Sequence, residues 1–170
     1  MAGLVDGSRV SKASPRMTAI GEIDEANCAL GTALTLVGES EHKQRLRAIQ
    51  NELFDLGADI ATPGEVDGAL RITDGQVERL EREIDAMNAD LSPLTSFILP
   101  GGSAAAAAVH MARAVTRRAE RAMVALNDAE PVNPAALSYV NRLSDHLFVT
   151  ARHLAASHGG DILWQPGATR

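Results

Sequence analysis

Three arginines, Arg117, Arg118 and Arg121, fall within five consecutive positions of a chain whose net charge is −6. Around them, His110, Arg113, Arg117 and Glu120 recur at steps of 3, 4 and 3, which places all four on one face of a helix. In an acidic protein this stripe makes a strong local positive field. Planar guanidinium groups suit bidentate binding of phosphate or carboxylate. Spacing alone also fits a solvated helix face with i,i+4 pairs.

Other polar residues have the spacing to assist. Ser138, Asn141 and Asp145 share one face of a later helical segment, where they could orient a ligand, neutralise arginine or simply meet solvent. Asp24 and Asn27 sit beside an apolar stripe near the N-terminus. A carboxylate there could pair with an arginine from another helix or subunit, or serve as a first-turn acid favoured by the helix dipole. Ser92 to Ser103 is an apolar loop containing Pro93, Phe97, Ile98, Leu99 and Pro100. Such a loop either caps the end of the fold or lines an apolar ligand site or subunit contact.

Several familiar chemistries lack their residues. The chain has no Walker A sequence and no His-Glu-x-x-His. Glu39 and His42 give one Glu-x-x-His, whereas di-iron bundles need two such pairs plus two further glutamates. Cys28 is the only cysteine, which excludes an intrachain disulfide and a cysteine-cluster zinc site. The negative charge makes nucleic acid a poor partner overall. No spanning helix and no basic-apolar signal peptide is visible. The expectation is a soluble protein of a reducing, cytoplasmic compartment.

The elements that must hold these residues read as helices. Leu46, Ile49, Leu53, Leu56 and Ile60 follow steps of 3 and 4, as do Val77, Leu80, Ile84, Met87 and Leu91. Leu137, Val140, Ser144, Leu147, Ala151 and Leu154 repeat the pattern, and Ile20, Ile23, Asn27, Leu30, Leu34 and Val37 match it with one polar member. A fifth, alanine-rich segment from Ser103 to about Asn127 can approach its neighbours closely. Thr73 with Gln76 reads as a capping box, and Asn133 before Pro134 as N-cap and first turn. Aromatics make up only 3% of the chain, so Ala and Leu must fill the core. No strand alternation competes. An all-α, five-helix up-down bundle in one domain over residues 1–170 follows.

The segments Asp6-Gly7-Ser8-Arg9-Val10-Ser11-Lys12, Gly21 to Asn27, Gln50 to Asp59 and Leu94 to Ser103 resemble the PduO-type ATP:cob(I)alamin adenosyltransferases. So do Arg117-Arg118-Ala119-Glu120-Arg121, Tyr139 to Asp145 and the closing Asp161-Ile162-Leu163-Trp164-Gln165-Pro166. These motifs run in order from about residue 3 to the C-terminus. The resemblance implies a homotrimer of cobalamin adenosyltransferase-like helical bundles with sites between subunits. It implies ATP and cob(I)alamin as substrates, with Mg²⁺, and product transfer to a cobalamin-dependent enzyme as a further partnership. By match to the family's motifs, Lys12, Arg117, Arg118, Glu120, Arg121 and Asn141 would contact ATP. Arg113 would pair with Asp24 of the partner subunit, and Phe97 would lie against the lower face of the corrin.

The pattern departs from the family in one place. The family usually opens with a segment of the type Thr-x-Thr-Gly-Asp-x-Gly-x-Thr, which wraps the ATP phosphates through backbone N–H groups. The chain starts at Met1-Ala2-Gly3-Leu4, so that segment is expected to be missing. A non-catalytic cobalamin or nucleotide carrier of the same fold is therefore the alternative to an enzyme. A purely self-associating bundle would leave the arginine stripe and the Phe97 loop unexplained.

Overall fold

A computed structural model of the chain describes residues 1–5 and 7–170. Asp6, the first residue of the Asp6–Lys12 motif, lies outside the described residues. Five helices carry the fold: α1 Pro15–Leu34, α2 Glu41–Ile60, α3 Asp74–Ala89, α4 Ala104–Ala129 and α5 Pro134–Ala156. α1 packs against α2 and α4, while α5 packs against α4 and α3 and touches α2. None of these helices is long and apolar enough to cross a membrane.

The helix starts follow local chemistry. Ser14, Ser40 and Ser103 each accept a backbone N–H from the first turn of α1, α2 and α4. Asn133 does the same for α5, with Pro134 in the first turn. The Thr73 N–H donates to Gln76 Oε1 at 2.9 Å, as the capping-box expectation required. The helix ends are less legible. Val37 and Leu91 extend the apolar spacing of α1 and α3 but lie beyond them. Val37 is nevertheless buried, so a loop residue completes the apolar set that began on the helix.

The absence of strands is corrected in a small way. Ala2–Gly3 (β1) and Arg9–Val10 (β2) pair as an antiparallel ribbon. It is too short to show alternation, and it docks through the Val5 N–H on Ala61 O at 3.3 Å.

The core is aliphatic, as the composition demanded. Ile23, Leu30, Leu46, Ile49, Leu56, Leu80, Leu143 and Leu147 are almost wholly buried, each contributing roughly 1.5–3 kcal/mol relative to exposure. α4 is central because it is small on its buried faces. Ala106, Ala112 and Ala119 are buried where α4 meets α1 and α5, so the backbones can come close. Asn27, the polar member of the α1 heptad, is buried and donates to Gln50 O at 3.1 Å. Gln50 Nε2 returns a bond to Asn27 O at 3.3 Å, tying α1 to α2.

Candidate functional site

The arginine stripe on α4, the face of α5 from Ser144 to Phe148 and the loop before α4 meet at one cleft of about 610 Å³. Its wall includes Phe97, Ile98, Arg113, Arg117, Asp145 and Phe148. The helical register explains the convergence. Residues 113 and 117 are one turn apart on α4, and 144, 145 and 148 do the same on α5, so two adjacent helices turn these side chains toward one groove.

The stripe runs from buried to exposed. His110 is only 4% exposed, and its ring lies 6.1 Å from that of Phe148. Burial, then the charge of Arg113, pulls its imidazole below the ordinary value, with Asp161 opposing. Arg113 is half-buried, its guanidinium 5.7 Å from the centre of the Phe148 ring, a cation–π contact. Its Nε is buried without a hydrogen-bond partner. Burial, then repulsion from Arg117, lowers its pKa. Arg117 is exposed at the mouth, and Arg121 Nη1 donates to Arg117 O at 3.0 Å. A desolvated cation beside a second cation has a strong electrostatic demand for an anion.

The remaining site residues fall around this centre. Asn141 donates to Glu120 Oε1 at 2.7 Å, so these two arrive as a pre-oriented pair bridging α4 and α5. Arg142 holds Asp145 at 2.7 Å. Arg118 turns the other way and pairs with Glu22 and Glu25 of α1, which raises its pKa through the Glu22 hydrogen bond first. Asp24 is exposed on α1, with no ion-pair partner among the described residues. Lys12 is exposed ahead of α1 and does not line the cleft. Within one chain, then, Phe97, Arg113 and Arg117 come together, while Asp24, Lys12 and Arg118 stand apart from them.

Phe97 is 77% exposed, which is unusual for a large aromatic unless a ligand or partner covers it. Its loop is ordered by the C-terminal tail. Trp164 N–H donates to Phe97 O at 2.7 Å and Leu99 N–H to Ile162 O at 2.8 Å. The Phe97 and Trp164 rings lie 6.0 Å apart. Periodicity missed Phe148, which sits outside the core heptad next to Leu147. It also gave no role to the 161–164 tail, whose hydrogen bonds reach Ser96, Phe97, Leu99 and Arg152, from 9 to 68 residues away.

The profile of the family described as cobalamin adenosyltransferase matches residues 1–154. The corrinoid adenosyltransferase of Mycobacterium tuberculosis is 47% identical over 174 residues, covering 99% of this chain and 89% of the relative. That of Bacillus subtilis is 43% identical over 171 residues, covering 98% and 88%. Among solved structures, a variant PduO-type ATP:corrinoid adenosyltransferase from Lactobacillus reuteri, complexed with cobalamin and ATP, superposes with a TM-score of 0.88. It shares 35% identity, covering 96% of this chain and 91% of that one. With its profile matched over residues 1–154, a relative 47% identical over nearly its whole length and a helical architecture that superposes on a solved member, the chain belongs to the cobalamin adenosyltransferase family.

Proposed function

We propose that this chain transfers the 5′-deoxyadenosyl group of ATP to cob(I)alamin, giving adenosylcobalamin and triphosphate. The observation that carries the reading is one cleft that brings together Arg113, whose Nε is buried without a partner, Arg117 and the exposed ring of Phe97. The cobalt electron pair forms the new bond to C5′ as the C5′–O bond breaks, and that bonding pair leaves with the triphosphate. The protein need not supply a nucleophile. It must align C5′ with cobalt and stabilise the charge of the departing triphosphate.

The chain's residues divide between those tasks. Arg117 at the cleft wall, with Arg121 and the Asn141–Glu120 pair further along the same two helices, would hold the nucleotide, with Lys12 and Arg118 added from its periphery. Arg118 would then exchange Glu22 and Glu25 for phosphate. Phe97 would cover the lower face of the corrin, excluding water or dimethylbenzimidazole. Losing that axial ligand lowers the cobalt orbital that accepts an electron, which eases reduction of Co(II) to Co(I). Mg²⁺ would come with ATP, held chiefly by phosphate oxygens. The described residues contain no cluster of three His, Cys, Asp or Glu side chains that could hold an ion.

The site would be completed between subunits of a homotrimer in the cytoplasm. Arg113, with its unpartnered Nε, would meet Asp24 of the partner subunit, and each would satisfy the other. The second reading is a non-catalytic carrier of cobalamin or nucleotide on the same fold. Anaerobic incubation with cob(I)alamin and MgATP separates the two. Equimolar adenosylcobalamin and triphosphate over many turnovers establishes the enzyme. Tight cobalamin binding without product establishes the carrier.

A further inference from the structure

Arg152, near the C-terminal end of α5, is 7% exposed and touches none of the residues assigned to ATP. Its guanidinium makes two bonds that join distant parts of the chain. Nε donates to Asp161 Oδ2 at 2.9 Å, and Nη2 to Ser92 O at 2.7 Å. Ser92 opens the loop that carries Phe97, and Asp161 opens the tail that pairs with it. Beyond Arg152 the two segments stay in register, through the Ile98–Leu163 bridge and the Ser96 Oγ bond to Trp164 O at 2.8 Å. Asp161 Oδ1 is buried with no partner, so Arg152 is the ion-pair partner that neutralises this carboxylate. Without it the tail would carry a buried, uncompensated anion, and release into water is the cheap escape.

We propose that Arg152 is a positioning residue for Phe97: it clamps Ser92 and Asp161 together so that the 161–164 tail seats the Phe97 loop against the cleft. The consequence for turnover rests on the adenosyltransferase reading, whereas the clamp itself does not. A ring held by one loop alone would sample many positions, and a displacement of about 1 Å at a reacting centre can cost on the order of 100-fold in rate.

Trp164 is the chain's only tryptophan, so its fluorescence reports tail docking in the full-length protein with no substrate present. Arg152→Gln should make Trp164 markedly more accessible to acrylamide. Asp161→Asn should do so less, because Arg152 keeps its bond to Ser92. Arg152→Lys, which retains the charge but not the fork, should fall between Arg152→Gln and the parent. The dissociation constant for ATP should stay at the parent value in all three. For adenosylation starting from cob(II)alamin and a reductant, kcat/KM for cobalamin should fall about 10- to 100-fold in Arg152→Gln, through a lower kcat and a higher cobalamin KM, with the ATP KM unchanged. Unchanged Trp164 quenching in both Arg152→Gln and Asp161→Asn would overturn the clamp. So would equal losses in ATP binding and cobalamin turnover, which mark general destabilisation. If the parent chain makes no adenosylcobalamin, the functional reading fails by itself and the fluorescence series still decides the clamp.

Discussion

Two charged clusters occupy different parts of the bundle and use their charges in opposite ways. The first gathers around Asp59, at the C-terminal end of α2. Asp59 is 2% exposed and accepts from Arg71 Nη1 at 2.7 Å, the Ile72 N–H at 2.8 Å and Asn133 Nδ2 at 2.7 Å. Arg71 spends further donors on Thr62 O and Gly64 O. Buried Arg16 is held by Glu130 at 2.8 Å and by Ile60 O. The second cluster is the α4 stripe, where Arg113 Nε has no partner and Arg117 pairs with no carboxylate among the described residues. The groove beside Asp59 is the larger, at about 780 Å³ against 610 Å³. Size therefore does not mark the site. Saturation of polar groups tells the two apart: a closed network fixes the α2–α3 connection and the start of α5, while the α4 stripe leaves its arginines without a carboxylate partner among the described residues.

The sharpest way to break this contrast is to remove the centre of the closed network. Asp59→Ala leaves Arg71, Asn133 and the Ile72 N–H without their acceptor, so a loss of about 3–5 kcal/mol is expected in urea unfolding. Activity per folded molecule should hold. If Asp59→Ala kept full stability and lost turnover, the two clusters would have exchanged roles.

Removing a member of the open network should barely register in the same unfolding experiment. Arg117→Ala is expected to stay within about 0.5 kcal/mol of the parent, because Arg117 is exposed and no ion pair among the described residues uses its charge.

A backbone change beside the cleft sits between these cases in kind and lower in size than Asp59→Ala. Gly102 has φ +93°, and an added Cβ would lie 3.1 Å from the Ala155 Cβ. Gly102→Ala should cost roughly 1–2 kcal/mol. The strain falls where the Phe97 loop meets α5, so faster amide exchange at residues 96–99 is the accompanying signature.

The smallest effect is pH dependence. Burial, then the neighbouring His153, lowers the His42 pKa from 6.5, and burial with Arg113 lowers that of His110. The unfolded chain therefore takes up protons at these sites first as pH falls. Stability contributed by the neutral rings is full above about pH 6.5 and declines below it. Tm should fall as the pH is lowered from about 7 to 5. His42→Gln should flatten part of that slope. A Tm that rises on acidification through this window would contradict the assignment.

The helices were legible because aliphatic residues at steps of 3 and 4 must face one core, and the serine, threonine and asparagine caps mark their starts. The stripe on α4 was legible for the same reason. Spacing could not tell that His110 is buried and Arg113 half-buried, since that depends on Phe148 of α5 packing beside them. Nor could it find Arg152, whose partners lie 60 residues before and 9 residues after it. Lone polar residues acquire meaning only when long-range packing chooses their partners. Asp24 shows the remaining gap: it is exposed with no ion-pair partner among the described residues, and the pairing proposed for it needs a second copy.

The most direct test of the account is adenosylcobalamin formation by the parent chain and Arg117→Ala, measured side by side under anaerobic conditions with cob(I)alamin and MgATP. The account predicts turnover by the parent and a loss of on the order of 100- to 1,000-fold in the variant, the scale for removing one charge-stabilising donor. An Arg117→Ala protein that turns over like the parent, or a parent that binds both substrates and makes no product, would contradict it.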